Sequence, residues 1–259
     1  TGSTPNCTDE NSFSVTINNT PSADAPADVT ACDTYSLPAL TVGNYFSSTG
    51  GVGSIAAGSA ITSSQTIFVY AETGSTPNCT DENSFSVTIN TTPSVPTAGT
   101  DATYCDGDLI ADLFAAGSGG TLTWYDDLAL TNVIGSGNSL TPNNSVGTSL
   151  YYVTETLNGC EGSANTVAVT INAIPFISSE SSNDVTACGV TDGTIDVSAT
   201  GGSGSYSFSI DGGLNFSNTT GSFTGLDVNS YQVVIDDGNC QVTGSLLTIS
   251  GPGIPAAPT

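Results

Sequence analysis

Residues 1–18 read TGSTPNCTDENSFSVTIN, and residues 73–90 read the same, letter for letter. The offset is 72 residues, and the correspondence runs on, with Asn19-Thr20-Pro21-Ser22 against Thr91-Thr92-Pro93-Ser94. A copied block at that spacing marks a tandem array. In the second copy Phe85, Val87 and Ile89 alternate with Ser84, Ser86 and Thr88. A period of two turns one apolar face inward and one polar face to water, as in a half-buried strand. Segment 1–18 is therefore expected to be the last strand of a truncated preceding module, and 19–92 a complete module of the same type.

The pattern extends along the rest of the chain. A second module is expected over 93–175, a third over 176–251, and a proline-rich linker over 252–259. Prolines mark the joints at Pro21, Pro26, Pro93, Pro96, Pro175, Pro252, Pro255 and Pro258, where a fixed φ and a missing N–H suit a short semi-rigid connection. Val167, Val169 and Ile171 alternate with polar or small residues, as do Ile195 and Val197, then Tyr206, Phe208 and Ile210, then Tyr231, Val233 and Ile235. Gly50-Gly51, Gly119-Gly120 and Gly212-Gly213 supply turns between such runs. No amphipathic helix of useful length is legible. Several short strands in modules of this size predict an all-β fold of tandem immunoglobulin-like β-sandwich modules, arranged as an extended rod.

The 259 residues include no Lys, Arg, His or Met, and 24 Asp plus Glu give a formal net charge of −24. That leaves no imidazole base, no Schiff-base lysine and no guanidinium clamp. Nucleic acid is not an expected partner, because neutralising its backbone takes Lys and Arg. An anionic membrane would repel the chain, and no apolar run reaches the roughly 20 residues of a span, so direct membrane insertion is not expected. Trypsin-like proteases find no cleavage site. Charged residues are only 9% of the chain and apolar ones 37%, which separates it from an acidic disordered tail. The scattered acids read as a soluble, self-repelling surface.

Seven cysteines stand at 7, 32, 79, 105, 160, 188 and 240. Because Cys7 is the repeat equivalent of Cys79, the odd count resolves into one bond per module: Cys32–Cys79, Cys105–Cys160 and Cys188–Cys240, with Cys7 bonded to the missing part of the preceding module. Closing a loop of about 50 residues would stabilise each small sandwich by roughly 4 kcal/mol and implies an oxidising compartment. Without His or a C-x-x-C pair, zinc is disfavoured.

The third module resembles the SprB repeat of Bacteroidota surface proteins. The residues that carry the likeness are Cys188, Asp192 to Val197, Gly201-Gly202-Ser203-Gly204-Ser205-Tyr206-Ser207-Phe208, Gly225-Leu226, Tyr231 to Ile235 and Asp236 to Cys240. Asn239 stands where that family commonly has Gly, and Phe208-Ser209-Ile210 where Trp is common. The first two modules resemble Ig-like repeats of the same kind of protein, through Cys32 to Leu40, Tyr45-Phe46 and Pro77-Asn78-Cys79, then Tyr104-Cys105, Gly120 to Tyr125, Tyr151 to Glu155 and Gly159-Cys160. The resemblance implies a giant adhesin of the bacterial cell surface, exported by type IX secretion and serving adhesion or gliding motility.

No catalytic residue is expected. The six Glu are Glu10, Glu72, Glu82, Glu155, Glu161 and Glu180. Paired carboxylates for glycoside hydrolysis are conceivable, but Glu10 and Glu82 are repeat copies. Gly201-Gly202-Ser203-Gly204 precedes an alternating strand, not a helix, so it reads as a turn and not a phosphate loop. Calcium is the one cofactor considered, with candidate ligands Asp101, Asp106, Asp108, Asp126, Asp127, Asp236 and Asp237. Trp124-Tyr125 and Tyr151-Tyr152 are weighed as a sugar platform against core packing; one of each pair should face inward, with Trp124 in the core. Three functions follow: spacer modules of an extracellular adhesin, with neighbouring modules as partners; a carbohydrate- or calcium-binding lectin-like module contacting surface polysaccharide; or a subunit of a multichain filament in which residues 1–18 complete a neighbour's sheet.

Overall fold

A computed structural model describes residues 1–2 and 4–253. Ser3 and residues 254–259, most of the expected linker 252–259, lie outside the described residues. The described residues form strands, turns and loops, with no helix. The chain divides into two compact units, Thr1–Pro93 with Thr156–Gly162, and Ser94–Glu155 with Ser163–Thr259.

Seven strands lie in 19–92: β1 (Val29–Cys32), β2 (Tyr35–Ser36), β3 (Asn44–Ser48), β4 (Val52–Ile55), β5 (Ala60–Ile61), β6 (Gln65–Glu72) and β7 (Thr80–Asn90). One sheet runs β1-β7-β6-β3-β4 and a second pairs β2 with β5. β6 and β7 are antiparallel, whereas β1 runs parallel to β7, with Val29 opposite Val87 and Cys32 opposite Asn90. Alternation sorts β7 as the sequence requires: Phe85 and Val87 join Tyr45, Ile67 and Val69 in the core, while Ser84, Ser86 and Thr88 do not. Burying each such aliphatic or aromatic side chain is worth about 1.5–3 kcal/mol.

Nine strands follow: β8 (Thr97–Ala98), β9 (Ala102–Cys105), β10 (Leu113–Ala116), β11 (Thr121–Tyr125), β12 (Val133–Ser136), β13 (Ser139–Leu140), β14 (Gly147–Leu157), β15 (Cys160–Glu161) and β16 (Asn165–Asn172). Their sheets are β12-β11-β14-β16-β9, with β15 on β14, and β13-β10-β8. Again the first long-sheet strand is parallel to the last, with Cys105 opposite Asn172. Trp124 is fully buried and donates its indole N–H to the Gly137 carbonyl at 2.9 Å. Tyr125, Tyr151 and Tyr152 are buried as well. The expectation that one of each aromatic pair would face outward does not hold, because Tyr151 to Glu155 of β14 are buried on both faces.

The last six strands are β17 (Pro175–Asn183), β18 (Gly193–Gly201), β19 (Ser207–Ser209), β20 (Ser222–Leu226), β21 (Asn229–Asp236) and β22 (Gln241–Ile249). They form two three-stranded sheets, β17-β18-β20 and β19-β21-β22, around Ile195, Val197, Phe208, Val233, Ile235 and Ile249.

Three segments share one local device. Asp28 accepts the Ser86 N–H at 2.7 Å, Asp101 the Ala168 N–H at 2.8 Å and Asp184 the Ser250 N–H at 2.7 Å. These aspartates begin the segments Asp28-Val-Thr-Ala-Cys32, Asp101-Ala-Thr-Tyr-Cys105 and Asp184-Val-Thr-Ala-Cys188. In the first two the carboxylate pins β1 to β7 and β9 to β16, in the third it ties the loop after β17 to Ser250 just past β22, and in all three the cysteine stands four residues on.

Candidate functional site: the cystine junctions

The cystines are not those expected from the sequence. Cys32 is bonded to Cys160, and Cys105 to Cys240, with Cα–Cα distances of 5.7 and 5.8 Å. Cys7, Cys79 and Cys188 are free thiols. The expected bonds Cys32–Cys79, Cys105–Cys160 and Cys188–Cys240 are therefore corrected, and Cys7 shows no bond that tests its assigned partner. The reason is strand direction. Cys32 lies opposite Asn90, the last residue of β7, while Cys79 immediately precedes its first residue. At about 3.3 Å per residue the two are roughly 35 Å apart, against the 4.4–6.8 Å or so that a disulfide spans. Cys105 lies opposite Asn172, whereas Cys160 pairs with Leu157 at the other end of β14. Cys188 follows the pairing of Val185 with Ser250, just past the end of β22, and Cys240 just precedes that strand.

Each cystine thus joins the first-strand cysteine of one module to the late hairpin of the next. At the first junction, Cys160 Sγ lies 3.9 Å from the Asn90 carbonyl oxygen, and Asn90 Nδ2 donates to the Asn158 carbonyl at 2.8 Å. Asp33 N–H donates to the Asn90 carbonyl at 2.8 Å, and the Asp33 carboxylate accepts the N–H and hydroxyl of Thr92 at 2.9 and 2.6 Å. The Thr92 hydroxyl and N–H hold Asp33 below its ordinary pKa. At the second junction, Cys240 Sγ lies 3.9 Å from the Asn172 carbonyl and Cys105 Sγ 3.6 Å from that of Asn239, while Asp106 N–H repeats the Asp33 contact, onto Asn172.

The calcium candidates are spread over these turns and strand ends. Asp101 pins β9, and Asp108 accepts the Cys105 N–H at 2.8 Å. Asp126 accepts from the Asn132 amide at 2.8 Å. Asp127 accepts from Thr131 and from the Asn132 N–H, which lower its pKa, the Asn132 bond most. Asp236 takes the Gly238 N–H at 2.6 Å and the Gln241 amide at 2.7 Å. Asp237 is buried and accepts N–H groups from Ser203, Asn239 and Cys240 at 2.7, 2.9 and 2.7 Å. Burial pulls its pKa upward, but those three N–H donors outweigh it and leave the carboxyl lowered. Among the described residues no three Asp, Glu, Cys or His side chains converge as metal ligands. Two of the candidates, Asp108 and Asp237, instead hold the backbone of bonded cysteines.

The glycine turns have a matching task. Gly201-Gly202-Ser203-Gly204 forms a turn, as expected, and wraps the Asp237 carboxylate; Gly202 has φ +56°, and a Cβ there would collide with that carboxylate. In the second module Gly117 to Gly120 wrap Glu155, which is fully buried and accepts the Ser118 and Gly120 N–H groups at 2.8 and 2.6 Å and the Ser118 hydroxyl at 3.0 Å. Those backbone donors lower the pKa of Glu155, the reverse of the raised value that a general acid needs.

The sequence signal that separates the two kinds of cysteine is the D-x-T-x-C segment. It marks Cys32 and Cys105, at the ends of β1 and β9, and Cys188, in the loop after β17, and separates them from Cys79, its repeat copy Cys7, Cys160 and Cys240.

Several solved structures of tandem domains resemble the fold at low identity. The I-band fragment I67–I69 of titin is 11% identical with a TM-score of 0.42, covering 92% of this chain and 100% of that one. Sidekick-1 immunoglobulin domains 1–4 are 13% identical, TM-score 0.38, over 90% and 76%. Drosophila OTK extracellular domains 3–5 are 10% identical, TM-score 0.37, over 88% and 96%. No curated protein matches the chain. Residues 93–175 match the family described as the Ig-like domain, CHU_C associated, so that module is an immunoglobulin-like domain within a fold whose described residues are all-β.

Proposed function

We propose that this chain is a run of spacer modules in an extracellular bacterial surface adhesin, a covalent tether between the cell and whatever the adhesin grips. The likeness to SprB repeats extends that reading to type IX secretion and gliding motility in Bacteroidota. The observation that carries it is the overlap of the two cystine loops. Cys32–Cys160 and Cys105–Cys240 together enclose every residue from 32 to 240, and both enclose 105–160. A single backbone cut anywhere between 32 and 240 therefore leaves one covalently connected molecule. Bonds confined within modules would leave the joints near Pro93 and Pro175 as points where one cut severs the tether. Disulfides persist only in an oxidising setting, which supports an extracellular site.

The test is limited proteolysis with chymotrypsin. Chains nicked once between 32 and 240 should migrate as the intact 25.8 kDa species without reductant and separate into fragments with it. Release of a fragment without reductant after a single cut would sink the reading. A glycan array and a calcium titration of the same protein should show no binding and no change in melting temperature.

A further inference from the structure

The chain contains one junction that is built but unbonded. Asn18 Nδ2 donates to the Pro77 carbonyl at 2.6 Å, and Cys79 Sγ lies 3.6 Å from the Asn18 carbonyl. Asn90 makes the same pair of contacts with Asn158 and Cys160 at 2.8 and 3.9 Å. Asn18 and Asn90 are repeat equivalents, and Pro77 and Asn158 each stand two residues before the hairpin cysteine. What the bonded junction has in addition is Cys32, opposite Asn90 on β1. Next to Asn18 that place is empty and the Cys79 thiol is free.

The segment leading to Asn18 is open too. Phe13, Val15 and Ile17 are 88, 67 and 84% exposed, while their equivalents Phe85 and Val87 are 3 and 1% exposed in β7. β7 is paired on its two edges by β1 and β6, and Phe85 and Val87 lie in a core cluster with Leu37, Tyr45, Ile61 and Ile67. The sequence 10–18 is identical to 82–90, so the surface complementary to it is the one that β1 to β6 present.

We propose that Cys79 and Asn18 form the docking site for a further immunoglobulin-like module of the 19–72 type, carried on the same polypeptide. That module takes residues 10–18 as its own last strand, and its D-x-T-x-C cysteine bonds to Cys79. This rests on the cystine-linked array proposed above and names the partner of its open end. The bond forms by thiol–disulfide exchange with a small-molecule disulfide such as oxidised glutathione. The incoming cysteine thiolate first displaces one glutathione to give a mixed disulfide. The Cys79 thiolate then attacks the protein sulfur of that mixed disulfide; the new S–S bond forms as the second glutathione leaves. Two protein thiols are oxidised, one glutathione disulfide is reduced to two thiols, and the protons pass from protein to glutathione.

The test places a second copy of residues 19–72 directly ahead of Thr1 in the full chain, folded in a glutathione redox buffer. Non-reducing peptide mapping should find the added cysteine bonded to Cys79, and amide exchange over 10–18 should slow at least about tenfold relative to the unextended chain. With Cys79→Ser in the extended chain, the slow exchange should persist while the added cysteine alkylates. A bond from the added cysteine to Cys7, or a free Cys79 with fast exchange over 10–18, overturns the proposal. Disulfide-linked oligomers of the unextended chain through Cys79 also overturn it, by making a second molecule the partner. Cys32–Cys160 and Cys105–Cys240 are mapped in the same digest, so failure of the array itself is told apart from failure of this docking.

Discussion

Residues 10–18 and 82–90 are the same nine letters in two conditions. In 82–90 they are a sheet strand between β1 and β6, with Phe85 and Val87 in the core. In 10–18 they pair with no strand and leave Phe13, Val15 and Ile17 in solvent. The alternation specifies which face is to be covered, but the cover comes from elsewhere in the chain. A strand's burial is a property of its sheet, and its propensity supplies only the fit. The cysteines repeat the lesson: Cys79 and Cys160 sit in similar hairpins, and only the one beside a first-strand cysteine is bonded.

Four substitutions or titrations would break or sharpen this comparison. The largest effect should come from the bonded junction. Replacing Cys32 and Cys160 by Ser opens a loop of 128 residues' separation, and chain entropy sets the loss at up to about 5 kcal/mol, whereas Cys79→Ser should change stability by less than about 0.5 kcal/mol. Urea unfolding of both variants measures the difference. Next comes the pair of aromatic copies. Phe85→Ala should cost about 3–5 kcal/mol and Phe13→Ala less than about 0.5 kcal/mol, so equal shifts in the urea midpoint would show 10–18 to be packed. Smaller again is the amide at the strand end: Asn90→Ala should lose about 0.5–1.5 kcal/mol with its bond to Asn158, and Asn18→Ala less, since the segment that Asn18 ends pairs with no strand.

The gentlest arm leaves β7 alone and titrates the second module. Glu155 is held below its ordinary pKa by the N–H groups of Ser118 and Gly120. A lowered folded-state value gives stability that is present above the unfolded carboxylate pKa and is lost as pH falls through the folded one. Thermal melts followed by Trp124, the one tryptophan, should therefore drop in midpoint on acidification below about pH 4.3, and Glu155→Gln should flatten that slope. An unchanged slope in the variant would remove Glu155 from the account.

The strands of β7, β16 and β21 were legible because alternation over several residues admits one reading. The bond pattern was not, because spacing along the chain says nothing about which end of a sandwich a residue occupies. The parallel pairing of β1 with β7 and of β9 with β16 decides that, and it arises between segments more than fifty residues apart. The aspartates carry a second signal. Asp101, Asp108 and Asp237 suggested a cation because they are acidic, yet each is occupied by backbone N–H donors. D-x-T-x-C, present three times, held the missing information about direction.

The glycine turns around Glu155 and Asp237 bear on how the molecule meets brine and fresh water. Its buried carboxylates are neutralised by fixed amide dipoles, in a polymer that has no side-chain cation at all. Dissolved ions consequently have no side-chain ion pair to loosen. They can only mute the mutual repulsion of a uniformly anionic surface, whose reach contracts from about 30 Å at 0.01 M to about 10 Å at 0.1 M. Rising salinity then screens that repulsion and favours a tighter fold.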